Sequence, residues 1–126
     1  EKYSITNAMC VNAGNYHLLI KVNKKESYDL SSLCAQLRKR IFFKDMNISL
    51  FKKTLGGLSL RTNEAGAGET LSCGSASAAV ASLHLKKNKK LTVNSAGGSI
   101  SLRIVGDKLE MTGPAECICE GIWTKN

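Results

Sequence analysis

Hydrophobic positions recur along this chain at two spacings. Over residues 4–11 and 17–22 they come in strand-sized runs, joined by Gly14-Asn15-Tyr16-His17 as a tight connection. Leu30, Leu33, Cys34, Leu37 and Ile41 then recur at the spacing of one helical face. Asp29 stands where an N-cap belongs, and Arg38, Lys39 and Arg40 suit the negative end of that helix. Strands are expected again over 48–52 and 58–63, flanking a turn at Gly56-Gly57, with a small-residue loop from Glu64 to Thr70. From Cys73 to near Leu85 almost every residue is small. A helix that is small all round is expected to be buried, with neighbours packed close on every side. The last third reads as strands: 91–94, then 99–104, whose clean alternation predicts one buried face. Gly106-Asp107 turns the chain, Leu109 and Met111 continue the alternation, Thr112-Gly113-Pro114 breaks it, and a final strand is expected over 117–123. The sum is an α+β fold, a strongly curved, mostly antiparallel sheet with one buried small-residue helix.

Length and composition narrow this picture. The 126 residues are one domain's worth of sequence, and 43% hydrophobic content suffices for one core. No apolar run reaches the length of a membrane span. Eighteen Lys and Arg against ten acids give a net charge of +8, which excludes an acidic solvating domain and leaves anionic partners open. The basic cluster Lys86-Lys87-Asn88-Lys89-Lys90 is read as a solvated helix end. It has no aromatic interleaving, and aromatics make up only 6% of the chain, so no nucleic-acid partner is expected. Glu1 rather than Met stands first, so a piece cut or processed from something longer is expected, and its first residues carry no charged-then-apolar signal pattern. Five cysteines without a disulfide framework suit a reducing cytoplasm. Cys117 and Cys119 alternate with Ile118 and read as small core residues on one face of the last strand. No CxxC exists, and His17 and His84 are far apart, so no metal site is expected.

Chemistry concentrates in the glycine-rich loop and the residues after it. That loop matches neither phosphate-cradling pattern, GxxxxGK[ST] or a correctly placed GxGxxG. It does place the carboxylate Glu64, the flexible Gly66-Ala67-Gly68 and then Glu69-Thr70 ahead of Cys73, at or just before a helix N-terminus. Backbone amides there bind anions and lower a thiol's pKa, and Gly74 and Ser75 lack the bulk to keep a ligand away. On this ground Cys73 is expected to be the most reactive thiol. The same spacing fits a buried cysteine beside a glycine turn, and spacing does not choose between them.

The run Glu64-Ala65-Gly66-Ala67-Gly68-Glu69-Thr70-Leu71-Ser72-Cys73-Gly74-Ser75 closely resembles the second active-site motif of diaminopimelate epimerases, ERGxGET followed by Leu, a small residue, then CG and Thr or Ser. Met111-Thr112-Gly113-Pro114-Ala115 is similar to the family's MTGPA. Gly14-Asn15-Tyr16-His17 resembles GNPH, and Met46-Asn47-Ile48 resembles the later asparagine-containing strand. The four matches occur in order and span nearly the whole chain.

The resemblance implies that residues 1–126 form a single domain, the C-terminal half of a two-domain epimerase. Each half would be a barrel-like sheet wrapped around a central helix, with substrate in the cleft between them. The family interconverts LL- and meso-diaminopimelate without pyridoxal phosphate or metal, in lysine and peptidoglycan precursor synthesis. Two cysteines on opposite sides of the α-carbon exchange its proton. Cys73 looks like the C-terminal member of that pair. Cys10, Cys34, Cys117 and Cys119 match no catalytic motif and are read as structural. Glu64 matches the carboxylate that contacts substrate and helps set the thiol's protonation, and His17 the histidine near the other cysteine. Asn15 and Asn47 match asparagines at the remote amino-acid end of the substrate, and the amides of Gly74 and Ser75 would hold the α-carboxylate. The expected partners are diaminopimelate and the missing N-terminal half, with a homodimer as a candidate assembly.

Two departures stand out. Tyr16 replaces the Pro of GNPH, and Ala65 replaces the arginine that clamps the distal carboxylate. Arg61 lies four residues earlier, roughly 13 Å along an extended strand at about 3.3 Å per residue, and cannot serve as that clamp without rearrangement. Beside the epimerase reading stand a racemase or phenazine-biosynthesis-like isomerase of the same fold, and a non-catalytic fragment kept for binding.

Overall fold

The computed structural model describes residues 5–24 and 27–125. Ser4, which the alternation placed in the first strand, lies outside them. Strands β1 (Ile5–Asn12) and β2 (Tyr16–Val22) form an antiparallel hairpin that closes at Asn12 opposite Tyr16. Gly14 turns the chain with φ +91°, and its N–H donates to Asn12 Oδ1 at 3.0 Å. Helix α1 (Leu30–Leu37) begins where the sequence placed its cap. The Asp29 carboxylate accepts from the Ser32 amide at 3.0 Å and the Ser32 hydroxyl at 2.7 Å, which holds its pKa below the ordinary value.

The apolar period predicted α1 to run on to Ile41. Instead it ends at Leu37, and Ile41 sits 91% exposed in a single 3-10 turn, Ile41–Phe43. Arg38, expected to face the helix end, directs its guanidinium to the sheet.

Strands β3 (Asn47–Thr54), β4 (Gly57–Glu64) and β5 (Gly68–Thr70) precede helix α2 (Gly74–Ser82), and β6 (Lys90–Ser95), β7 (Gly98–Val105) and β8 (Lys108–Thr112) follow it. They join one sheet in the order β1-β2-β3-β4-β6-β7-β8, with β5 added to β4. The pairings β2–β3 and β4–β6 are parallel and the rest antiparallel. Opposite β3, the other edge of β4 is shared: β5 pairs with residues Thr62 to Glu64, and β6 with Leu58 and Ser59. Gly57 permits that close approach. Its φ is +144°, and a Cβ there would stand 2.1 Å from the Thr92 carbonyl oxygen.

The sheet separates two cores. Strand alternation sends Leu18, Ile20, Val22, Ile48 and Leu50 to one face, where they pack on Leu30, Leu33 and Cys34 of α1. Leu19, Phe51, Leu58, Leu60, Val93 and Leu102 line the other face around Ala76, Ala79, Val80 and Ala81 of α2. The small side chains of α2 are what let a curved sheet close in on it. Buried Ser77 satisfies its hydroxyl on the Cys73 carbonyl at 3.0 Å.

Three expectations fail toward the C-terminus. Helix α2 stops at Ser82 rather than near Leu85, so the exposed lysines of 86–90 do not directly follow it. In β7 only Leu102 is fully buried, and Ile104 is 38% exposed. Residues 117–123 form no strand: Ile118, Ile122 and Trp123 are more than nine-tenths exposed, and Cys117 and Cys119 lie in solvent rather than in a core. Alternation marks a segment able to pair, but pairing needs a neighbouring strand, and none of the described strands lies beside it.

Candidate active site

β2 and β3 run parallel and β4 runs against them, so the first residues of β2 and β3 meet the last of β4 at one end of the sheet. His17 pairs with Asn47, and Glu64 ends β4 one residue past the Ile48–Asn63 pair. Alternation points His17, Asn47 and Glu64 to the face on which α2 packs. β5 then returns beside β4, and the chain passes through Leu71 and Ser72 to Cys73, the N-cap of α2.

His17 is fully buried. Its Nε2 lies 2.9 Å from Asn15 Oδ1, and its Nδ1 has no partner in the structure. An amide oxygen only accepts, so Nε2 carries the proton and Nδ1 is a bare acceptor. Burial lowers the imidazole pKa from its ordinary value, and the negative charge of Glu64 partly offsets that. The ring is thus neutral at physiological pH.

Glu64 is half-buried and accepts from the Thr70 hydroxyl at 2.6 Å. The β5 pairing supplies this contact, because Thr70 stands opposite Thr62 on the same face as Glu64. The sequence names Thr70 in the glycine-rich run without assigning it a role. Its signal was the GET triplet itself, once the glycine-rich run is seen as a hairpin with a short strand rather than a loop. Asn47 is 7% exposed, and its Oδ1 accepts from the Ala65 amide at 2.9 Å, which leaves its amide N–H groups for other partners.

Cys73 is buried, 6% exposed, with Sγ 3.4 Å from the Ser75 hydroxyl oxygen. The N-cap Cys73 makes no side-chain capping bond to the first amides of α2, and Gly74 is exposed. Met111 lies against Gly74: a Cβ there would meet its methyl at 3.4 Å. The MTGPA segment and the Cys-Gly motif are therefore in contact. Exposure does not favour Cys73 as the most reactive thiol, since Cys10, Cys117 and Cys119 are open to solvent. Burial pushes the Cys34 thiol up to about 11, so that residue is an inert part of the α1 core.

Arg61 points to the opposite face. It pairs with Glu69 at 2.6 and 2.9 Å and donates to the Tyr28 carbonyl at 3.0 Å. It ties β5 and the segment just before α1 to β4. Among the described residues no three His, Cys, Asp or Glu side chains converge as a metal would require, and no helix is long and apolar enough to cross a membrane.

The sequence pattern of the diaminopimelate epimerase family matches residues 9–118 of this chain. A diaminopimelate epimerase of Methanocella arvoryzae is 37% identical over 94% of this chain and 44% of its own length. One from Xylella fastidiosa is 28% identical over 90% of this chain and 42% of its own. The chain thus spans less than half the length of these relatives. Among solved structures, a putative phenazine biosynthesis PhzC/PhzF protein from Clostridium difficile superposes with a TM-score of 0.56 at 20% identity, over 77% of this chain and 37% of that one. A PhzF-family protein from Bacillus anthracis gives 0.56 at 16% identity, over 86% and 38%. At such identities the likeness speaks for the shared fold.

Proposed function

This chain belongs to the diaminopimelate epimerase family, and we propose that it supplies one wall of the active site of a cofactor-independent amino-acid epimerase acting on LL- and meso-diaminopimelate. The observation that carries this reading is the placement of Cys73 at the uncapped start of α2, with Glu64 and His17 on the same face of the sheet end.

The α-hydrogen of an amino acid is far less acidic than a thiol, so the reaction depends on stabilising the carbanion. The amides of Gly74 and Ser75, at the positive end of α2, would hold the α-carboxylate and draw charge toward it. Cys73 would act on one side of the α-carbon. As thiolate it takes the α-proton while a cysteine of the other half donates its own from the opposite side, and the reverse reaction exchanges these roles. Glu64, oriented by Thr70, would contact the substrate and influence the protonation of Cys73. His17 offers Nδ1 as a fixed acceptor, its tautomer set by Asn15. Asn15 and Asn47 would meet the remote amino-acid end.

In this reading the enzyme works in the cytoplasm, needs no metal or prosthetic group, and requires the other half of a longer polypeptide. A second reading, a racemase or isomerase of the same fold with another substrate, is favoured by one observation. Ala65 offers no guanidinium, and Arg61 is bound to Glu69 on the other face.

Exchange of the α-hydrogen into deuterated water tests the proposal. The chain alone is expected to give none above a Cys73→Ala control, because it holds one wall of the cleft and leaves the site open to water. The longer protein should exchange diaminopimelate and lose that activity with Cys73→Ala. Turnover by the chain alone would overturn the half-site reading. A longer protein inert toward diaminopimelate but active on another amino acid would establish the second reading.

A further inference from the structure

The β3–β4 ladder ends at the pair Ile48–Asn63, one residue short of both Asn47 and Glu64. Two side chains continue the connection past that point. From the α2 face, Asn47 Oδ1 accepts from the Ala65 amide at 2.9 Å. From the α1 face, the Arg38 guanidinium spans both strand ends. Its Nη1 donates to Asn63 Oδ1 at 2.6 Å, and its Nη2 donates to the Asn63 carbonyl at 3.1 Å and to the Met46 carbonyl at 3.1 Å.

Met46 and Asn63 are the residues immediately before Asn47 and Glu64. Nη2 donates to both carbonyls while Nη1 anchors the group on the Asn63 carboxamide, and this sets the distance between the two strand ends, and with it the distance between the two side chains that follow. Asn63 is 4% exposed, so its carboxamide has little water to turn to if the guanidinium leaves. The buried Arg38 Nε has no hydrogen-bond partner, so the hydrogen bonds of the guanidinium run through its two terminal nitrogens.

We propose that Arg38 is a positioning residue, which acts from behind the sheet to fix Asn47 and Glu64 relative to each other and to His17. The assignment rests on the reading of Asn47 and Glu64 as site residues, but its test does not depend on turnover.

Amide hydrogen exchange and an NMR titration of His17, both on this chain, decide it. In Arg38→Met, exchange of the Ala65 amide should speed up by about tenfold or more, while mid-strand amides such as Leu60 and Phe51 keep their wild-type rates. The His17 titration should move further down, because the charge of Glu64 that opposes the effect of burial is no longer held in place. Arg38→Lys should restore only part of either property, since an ammonium lacks the planar fork. Asn63→Ala, which keeps the arginine and the two carbonyls, should give a smaller change in the same direction and serves if Arg38→Met does not fold. Unchanged Ala65 exchange and an unchanged His17 titration in a folded variant would overturn the proposal. So would uniform acceleration of all amides in both variants, the mark of a purely stabilising contact. A positive result in a longer protein that lacks epimerase activity would leave the positioning intact and count against the catalytic reading alone.

Discussion

Replacing His17 with leucine should remove a function without weakening the fold. The wild-type side chain is fully buried with Nδ1 unpartnered, and an unsatisfied buried polar atom costs about 1–3 kcal/mol. The one bond lost, from Nε2 to Asn15, is worth about 0.5–1.5 kcal/mol, and Asn15 is exposed and can bond to water instead. Leucine is of similar bulk and extends the cluster around Leu19. The two effects leave His17→Leu neutral to about 1 kcal/mol more stable, a rise in Tm of up to about 4 °C. The difference should grow in acid. Burial holds the folded His17 pKa below the ordinary 6.5, so the unfolded chain binds the proton first as pH falls. The wild type therefore keeps this contribution above 6.5 and loses it as pH drops from there toward the folded value, whereas the variant has nothing to lose. Urea unfolding followed by far-UV circular dichroism, near about pH 7.5 and again near about pH 5.5, measures both effects. A loss of more than about 2 kcal/mol at the higher pH would refute the reasoning, because it would mean that Nδ1 is satisfied and the histidine structural. An identical pH response in the two proteins would refute it as well.

Three further outcomes are expected. A maleimide at mildly alkaline pH should label Cys10, Cys117 and Cys119 at least about tenfold faster than Cys34, and Cys73 should lag behind the exposed three, as read by peptide mapping. Gly57→Ala should destabilise the chain by about 3 kcal/mol or more in a denaturant titration, since its Cβ would collide with the Thr92 carbonyl at a φ that L-residues avoid. In the longer protein, Ala65→Arg should raise kcat/KM for LL-diaminopimelate by roughly tenfold, about 1.4 kcal/mol, and leave an amino acid without the distal carboxylate unchanged; an equal effect on both would show that position 65 does not face that carboxylate.

Local pattern was enough to read much of this protein. Asp29 and the spacing of Leu30, Leu33 and Cys34 specify a capped helix and its buried face, because capping and periodicity act within a few residues. The all-small composition of α2 specifies a helix that can be surrounded, and the order of the motifs brought out the residues of the candidate site. Sequence alone left the pairings open. Nothing local says that β2 lies parallel to β3, or that β4 shares one edge between β5 and β6, yet those pairings gather His17, Asn47 and Glu64 at one end of the sheet. The strand Gly68–Thr70 has no apolar signal and exists because β4 offers it an edge. The same dependence works in reverse at residues 117–123, where a good strand pattern finds no partner among the described residues and lies open to solvent. Ile41 continues a helical period that the chain abandons, and Arg38 leaves its own helix for two strand ends. A side chain's chemistry and its local period are carried by its near neighbours. Which distant backbone it meets is decided only when the sheet assembles, because each long-range pairing must offset the entropy of closing the intervening loop and only the whole set of contacts does so.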